Sequence, residues 1–269
     1  MKKSMRILVL SAAFFSFAQP VQAVEITTPL DAVQAMGHEM SEMRHMLETF
    51  AMIGTGVTFK LPKEQLKQSV ELYEESIRMM KETFPDSEIQ KQIKIGQAGW
   101  APVKKALMAS LQEKKPSPEA MKKGAIFIHG NIRKVIKAME AMKGYMLTKA
   151  QFKAINELNA AIEIDASAHR LSAHYAMWMW GLPDPTIEAH WNKGMKIYQT
   201  SIATLEKSPL AKNPVFHDLL TIAKKQRMFF VMIQRMGSHK RFVPALVQVN
   251  AGKASDAAIK MAKIILDQK

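Results

Sequence analysis

From Thr28 onward, prolines punctuate long segments in which apolar residues recur at alternating steps of three and four. The first segment sets the pattern. Val33, Met36, Met40, Met43, Leu47 and Phe50 form one stripe behind Thr28, Pro29 and Asp31, which read as an N-cap, a first-turn proline and a reciprocating acid. Such a stripe can be buried only against other helices. Further helices are expected at about 63–83 after Pro62, at 88–111 with Ser87 and Gln90 as a capping box, and from Ser117-Pro118 to at least Met146. The succession then repeats, with helices at about 151–180, 185–206, 214–236 (capped by Asn213) and 244–267, broken by "GLPDP" and "KSPLAKNP". Placing "RHMLETFAM" over "HRLSAHYAM" gives an offset of 125 residues between the first helices of the halves, which argues for an internal duplication. Strand signals are nearly absent, and "AIFIHG" and "FVPALVQV" fit buried helical turns as well as strands.

The expected fold is therefore all-α: two tandem four-helix up-and-down bundles, residues 24–147 and 148–269. Separate bundles and one shared elongated rod both satisfy the pattern. Ala150-Gln151 offers no Pro/Gly-rich linker, so the fourth helix is expected to run almost directly into the fifth.

Residues 1–23, "MKKSMRILVLSAAFFSFAQPVQA", have basic residues, an apolar run and a small-residue exit at Val21 and Ala23, the form of a cleaved secretion signal. The mature protein is expected in the periplasm, exported through the inner membrane. Removing the signal lowers the formal charge from +14 to +11 over about 246 residues, a surplus that favours anionic partners without naming one. No nucleic-acid motif or compact basic array is present. With no cysteine in the chain, disulfides, thiolate catalysis and cysteine-ligated clusters are excluded. No GxSxG, HExxH or paired Glu-x-x-His frames a catalytic site, so neither an enzyme nor a cofactor is expected.

Three candidate sites remain. Met40, Met43 and Met46 with His38 and His45 invite a soft-metal reading, copper above all. At 100° per residue, however, the methionines cluster on the packed face while both histidines fall roughly 200° away, so one helix cannot bring the two sets to one ion. The methionines read as core and the histidines as outward-facing. Tyr175, Trp178 and Trp180 could line an apolar ligand site, although aromatics on adjacent turns more often pack a seam. Arg44 and its counterpart His169, with neighbours His45 and Arg170, sit about 100° from the core centre, where a guanidinium could hold a small oxyanion and a second copy across a dimer axis could close the site.

The segments "RHMLETFAMIGTG", "LPKEQLKQSVELYEESIRMMKE" and "GQAGWAPVKKALM" resemble the N-terminal sensor module of type IV pilus methyl-accepting chemotaxis transducers. That module is similar to the periplasmic module of nitrate/nitrite sensor kinases. Arg44 falls on the first arginine of the family's first-helix line, Met46 on its leucine, Ala51 on its alanine, and Trp100 on the third-helix tryptophan. In the second half Leu171, Ser172 and Ala176 match, whereas His169 and His174 stand in place of two arginines and Glu163 in place of an asparagine. The resemblance implies an exported, non-enzymatic sensor-like protein. It would bind a small anion or other small molecule at Arg44, His45, His169, Arg170 and His174, perform no nucleic-acid function, form a homodimer and pass its state to a membrane-bound signalling or accessory partner. The alternatives are an accessory protein with a decayed ligand site and a periplasmic copper or soft-metal binder.

Overall fold

The structure, a computed structural model, describes residues 26–112, 116–237 and 243–268; residues 1–23, read above as a secretion signal, lie outside the described residues. The described residues form eight helices: α1 Pro29–Gly54, α2 Pro62–Thr83, α3 Ser87–Ala109, α4 Pro118–Lys149, α5 Ile155–Met179, α6 Thr186–Lys207, α7 Pro214–Gly237 and α8 Pro244–Leu266. A 3-10 turn at Pro209–Lys212 precedes α7. No described helix is long and apolar enough to cross a membrane.

Local chemistry sets the helix starts. At α1 the Thr28 hydroxyl accepts from the Asp31 amide (3.2 Å) while the Asp31 carboxylate accepts from the Thr28 amide (2.8 Å), so both arms of the expected box form. Ser117 caps α4, and Asn213 accepts from the Phe216 amide at the start of α7. The box expected at Ser87 and Gln90 does not form, because Ser87 already lies within α3. Gln90 instead donates to the carbonyls of Lys81 and Phe84, closing the turn between α2 and α3. "AIFIHG" is interior to α4, and a connection at 150–154 separates α4 from α5.

In the first half α1 packs on α2 and α4, and α3 packs on α4 and more lightly on α2. In the second half α5 packs on α6 and α8, and α7 packs on α8 and more lightly on α6. Each set closes in chain order, as up-and-down bundles do. The bundles join side by side because α1 packs along α5 as extensively as along α4, and one continuous apolar core runs through both.

Along this seam Gly37 meets Ile162, Ser41 meets Asp165, Glu48 meets His169 and Ser172, and Gly54 meets Trp180. Partner numbers rise together, so α1 and α5 run parallel, in close to the 125-residue register of the sequence alignment. The approach requires glycine at both ends, since a Cβ at Gly37 would overlap Ile162 and one at Gly54 the Trp180 ring. The α1 face that the sequence reading left for a second copy is thus covered by α5. This corrects the placement of His38 and His45: they face the other bundle rather than solvent. A wheel with one packed face cannot describe a helix buried on several sides, and Glu39, Arg44 and Glu48 are buried on α1 beside its methionines.

Candidate metal centre

Polar side chains occupy successive turns of the seam. Ser41 donates to Asp165 (2.8 Å), and His38 stands 4.0 Å from Asp165 and from Glu42. Burial works against a charged His38, but the neighbouring carboxylates of Asp165, Glu42 and Glu39 prevail, and its pKa is pushed up to about 10. Further along, Glu48 accepts from Ser172 and lies 3.2 Å and 3.4 Å from the Nδ1 atoms of His169 and His45, whose rings meet edge to face. Burial penalises the Glu48 carboxylate, yet the hydrogen bonds and charges of the two imidazoles hold its pKa down to about 2. His45 is correspondingly raised: burial opposes its charge, and Glu48 and Glu42 outweigh that. The ligand atoms of His45, Glu48 and His169 lie close enough to hold a metal. Both Glu48 oxygens already face donors, however, so hydrogen bonding accounts for the cluster.

Arg44 is buried, with Nη1 donating to the Ala166 carbonyl at 3.1 Å. Burial and then the like charge of Arg170 lower its pKa to about 9, against the opposing pull of Glu163, Glu140 and Asp165. Arg170 of α5 is near enough for its charge to act on Arg44, while its own side chain lies along Gly194 of α6.

Beside them three histidines converge from three helices: His129 of α4, His174 of α5 and His190 of α6. His129 Nε2 lies 3.3 Å from His174 Nε2 and 3.2 Å from His190 Nδ1, and the three ligand atoms fall within 4.8 Å of one another. The opposite ring nitrogens are pinned. His129 Nδ1 donates to Asp184 at 2.6 Å, and His174 Nδ1 donates to the Arg170 carbonyl at 2.6 Å. With both Nδ1 atoms engaged on the far side of their rings, the Nε2 atoms of His129 and His174 face each other. Two lone pairs at that distance need a cation between them, either a proton or a metal.

The protein disfavours the proton at two of the three rings. Burial, then the charge of His129, puts the His174 pKa well below the ordinary imidazole value. For His190, burial and then the charges of His129, Arg133 and Arg170 overcome Asp184 and lower the pKa to about 4. Two nitrogens each about 2.0–2.1 Å from a tetrahedral ion stand about 3.3–3.4 Å apart, and the distances of 3.2 and 3.3 Å match this. Asp184 supplies the carboxylate that commonly orients a ligating histidine. It is anchored in turn, since its other oxygen accepts from the amide and hydroxyl of Thr186.

No sequence motif marks this cluster as a metal site. His174, expected beside the anion-reading arginines, bonds only to the Arg170 backbone carbonyl one turn earlier, and its imidazole turns towards His129 and His190. The methionine box is not assembled: Met40, Met43 and Met46 are fully buried in the core, while His38 and His45 engage carboxylates. The three aromatics are dispersed. Tyr175 is buried with its hydroxyl accepting from the Val243 amide, Trp178 is 43% exposed, and Trp180 packs on Gly54, so they do not form one apolar site. His129 and His190 carried no sequence signal, because their partners lie 45 and 61 residues from His129 with no short motif between them.

No protein-family model, curated protein or solved structure matches the chain.

Proposed function

We propose that this protein binds a divalent first-row transition metal through His129, His174 and His190. The observation that carries the reading is the convergence of three ring nitrogens from three helices, two of them on rings oriented by Asp184 and by the Arg170 carbonyl on the far side. Neutral imidazoles suit zinc, copper, nickel and iron, and three protein ligands leave a fourth position open. The reading keeps the metal-binding alternative raised by the sequence but moves it from methionine thioethers to imidazoles. It also gives the "GLPDP" break a role, since that turn carries Asp184 to the back of His129. The signal-like residues 1–23 support an exported setting, in which the centre would serve a binding role and present its state to a partner.

Metal-stripped protein, titrated with zinc in competition with a chromophoric chelator, tests the proposal. One equivalent of zinc is expected to bind, and His174→Ala and His129→Ala each to abolish it. His217→Ala, at an exposed histidine of α7, should leave binding unchanged. Equal zinc uptake by the parent and both centre variants would overturn the reading.

A further inference from the structure

The three histidines line a cavity of about 110 Å3 between α1, α4, α5 and α6. Cations surround the same space: Arg44, Arg133, Lys137, Arg170 and Lys193, against one carboxylate, Glu140. The local acids do not neutralise this set. Among the described residues neither Arg133 nor Arg170 has a carboxylate within ion-pair distance, and Glu163 is paired with Lys143 at 2.9 Å. Arg170 Nη1 is buried with no hydrogen-bond partner. A buried charged donor without an acceptor is costly, so an acceptor that enters the cavity and reaches Arg170 Nη1 gains the whole of that interaction.

A metal on three neutral imidazoles would add its full charge to this wall, and no anionic protein ligand would offset it. We infer that the open position of the centre takes a small oxyanion, recognised by the Arg170, Arg133 and Lys193 side chains that line the same cavity. This rests on the metal reading of the same three histidines. The chemistry favours an oxyanion over a halide or a neutral ligand, because guanidinium presents a planar fork of donors that suits two acceptor oxygens at once. Size favours a small one. One water needs about 10–15 Å3 of such space, so the cavity accommodates an ion of a few heavy atoms and excludes anything drug-sized.

The test uses cobalt(II) as the metal in the full mature chain, in a non-coordinating buffer, because its visible bands report both coordination number and ligand exchange. Acetate, as a planar carboxylate, and sulfate, as a tetrahedral oxyanion, are titrated separately, with sodium perchlorate matched for ionic strength. A saturable change in the bands with acetate, sulfate or both, and none with perchlorate, is expected. Arg170→Met should weaken anion binding at least about tenfold, and the exposed variants Arg133→Ala and Lys193→Ala about two- to fivefold each. Cobalt affinity should be retained or rise modestly in all three, because each substitution removes a positive charge from beside the metal. The two exposed positions keep the test decisive if Arg170→Met fails to fold. Protein-bound cobalt bands that ignore both oxyanions, or that respond equally in the parent and in all folded variants, would overturn the inference while leaving the metal reading standing. Bands no different from aqueous cobalt would remove the metal reading and the inference with it.

Discussion

Asp184 uses one carboxylate for two tasks, holding His129 through one oxygen and the first turn of α6 through the other. Asp184→Asn keeps the size of the side chain but removes the charge that fixes the His129 tautomer. Zinc affinity should fall about 10–100-fold, measured by chelator competition, with little change in helix content. Two seam residues give opposite pH dependences. The Glu48 pKa is depressed from 4.5 to about 2, so its stabilisation is full above 4.5 and lost as pH falls towards 2. The His38 pKa is raised from 6.5 to about 10, so its stabilisation is full below 6.5 and lost as pH rises through 10. In thermal melts the destabilisation caused by Glu48→Gln should therefore shrink on acidification below 4.5, and that caused by His38→Gln should shrink between pH 6.5 and 10. A cost independent of pH in either variant would contradict the assignment. At this scale the sequence made Arg44 and Arg170 legible as unusual cations, but not what they face. Partners of His129 come from helices distant in sequence, and hydrogen-bond direction depends on ring placement that no spacing encodes.

The helices themselves were legible, because a period of three and four, proline at the first turn and short polar caps act within a few residues of one another. What α1 packs against was not. Its methionine stripe pointed to one buried face, whereas the Ser41, Arg44 and Glu48 side is buried too, against the matching polar turns of α5. Gly37 separates the two accounts experimentally. Because a Cβ there would overlap Ile162, Gly37→Ala should destabilise by about 1–3 kcal/mol despite alanine's better helix propensity. Gly252→Ala in α8, where a Cβ meets nothing within 4 Å, should instead stabilise by roughly 0.5–1 kcal/mol. Denaturant unfolding of the two variants checks both signs.

Across the whole molecule, the candidate ligands come from α4 of the first bundle and α5 and α6 of the second, so a bound ion would tie the two halves together at the edge of the α1–α5 seam. Ligand present at 100 times its dissociation constant adds about 2.7 kcal/mol of stability. For a chain of this size the melting temperature should rise by about 5–10 °C when zinc is added to stripped protein, and the rise should vanish in His190→Ala. The tandem bundles were legible because the helical pattern repeats at a fixed offset. Their parallel, side-by-side union was not, because it depends on glycine contacts and on charges that are costly to bury except against each other. The central claim concerns which atoms hold the ion, and X-ray absorption at the zinc edge of the loaded protein addresses it most directly. Three imidazole nitrogens at about 2.0–2.1 Å with one further light oxygen or nitrogen are expected. A sulfur shell from methionine, or a shell of oxygens without imidazole scattering, would contradict it.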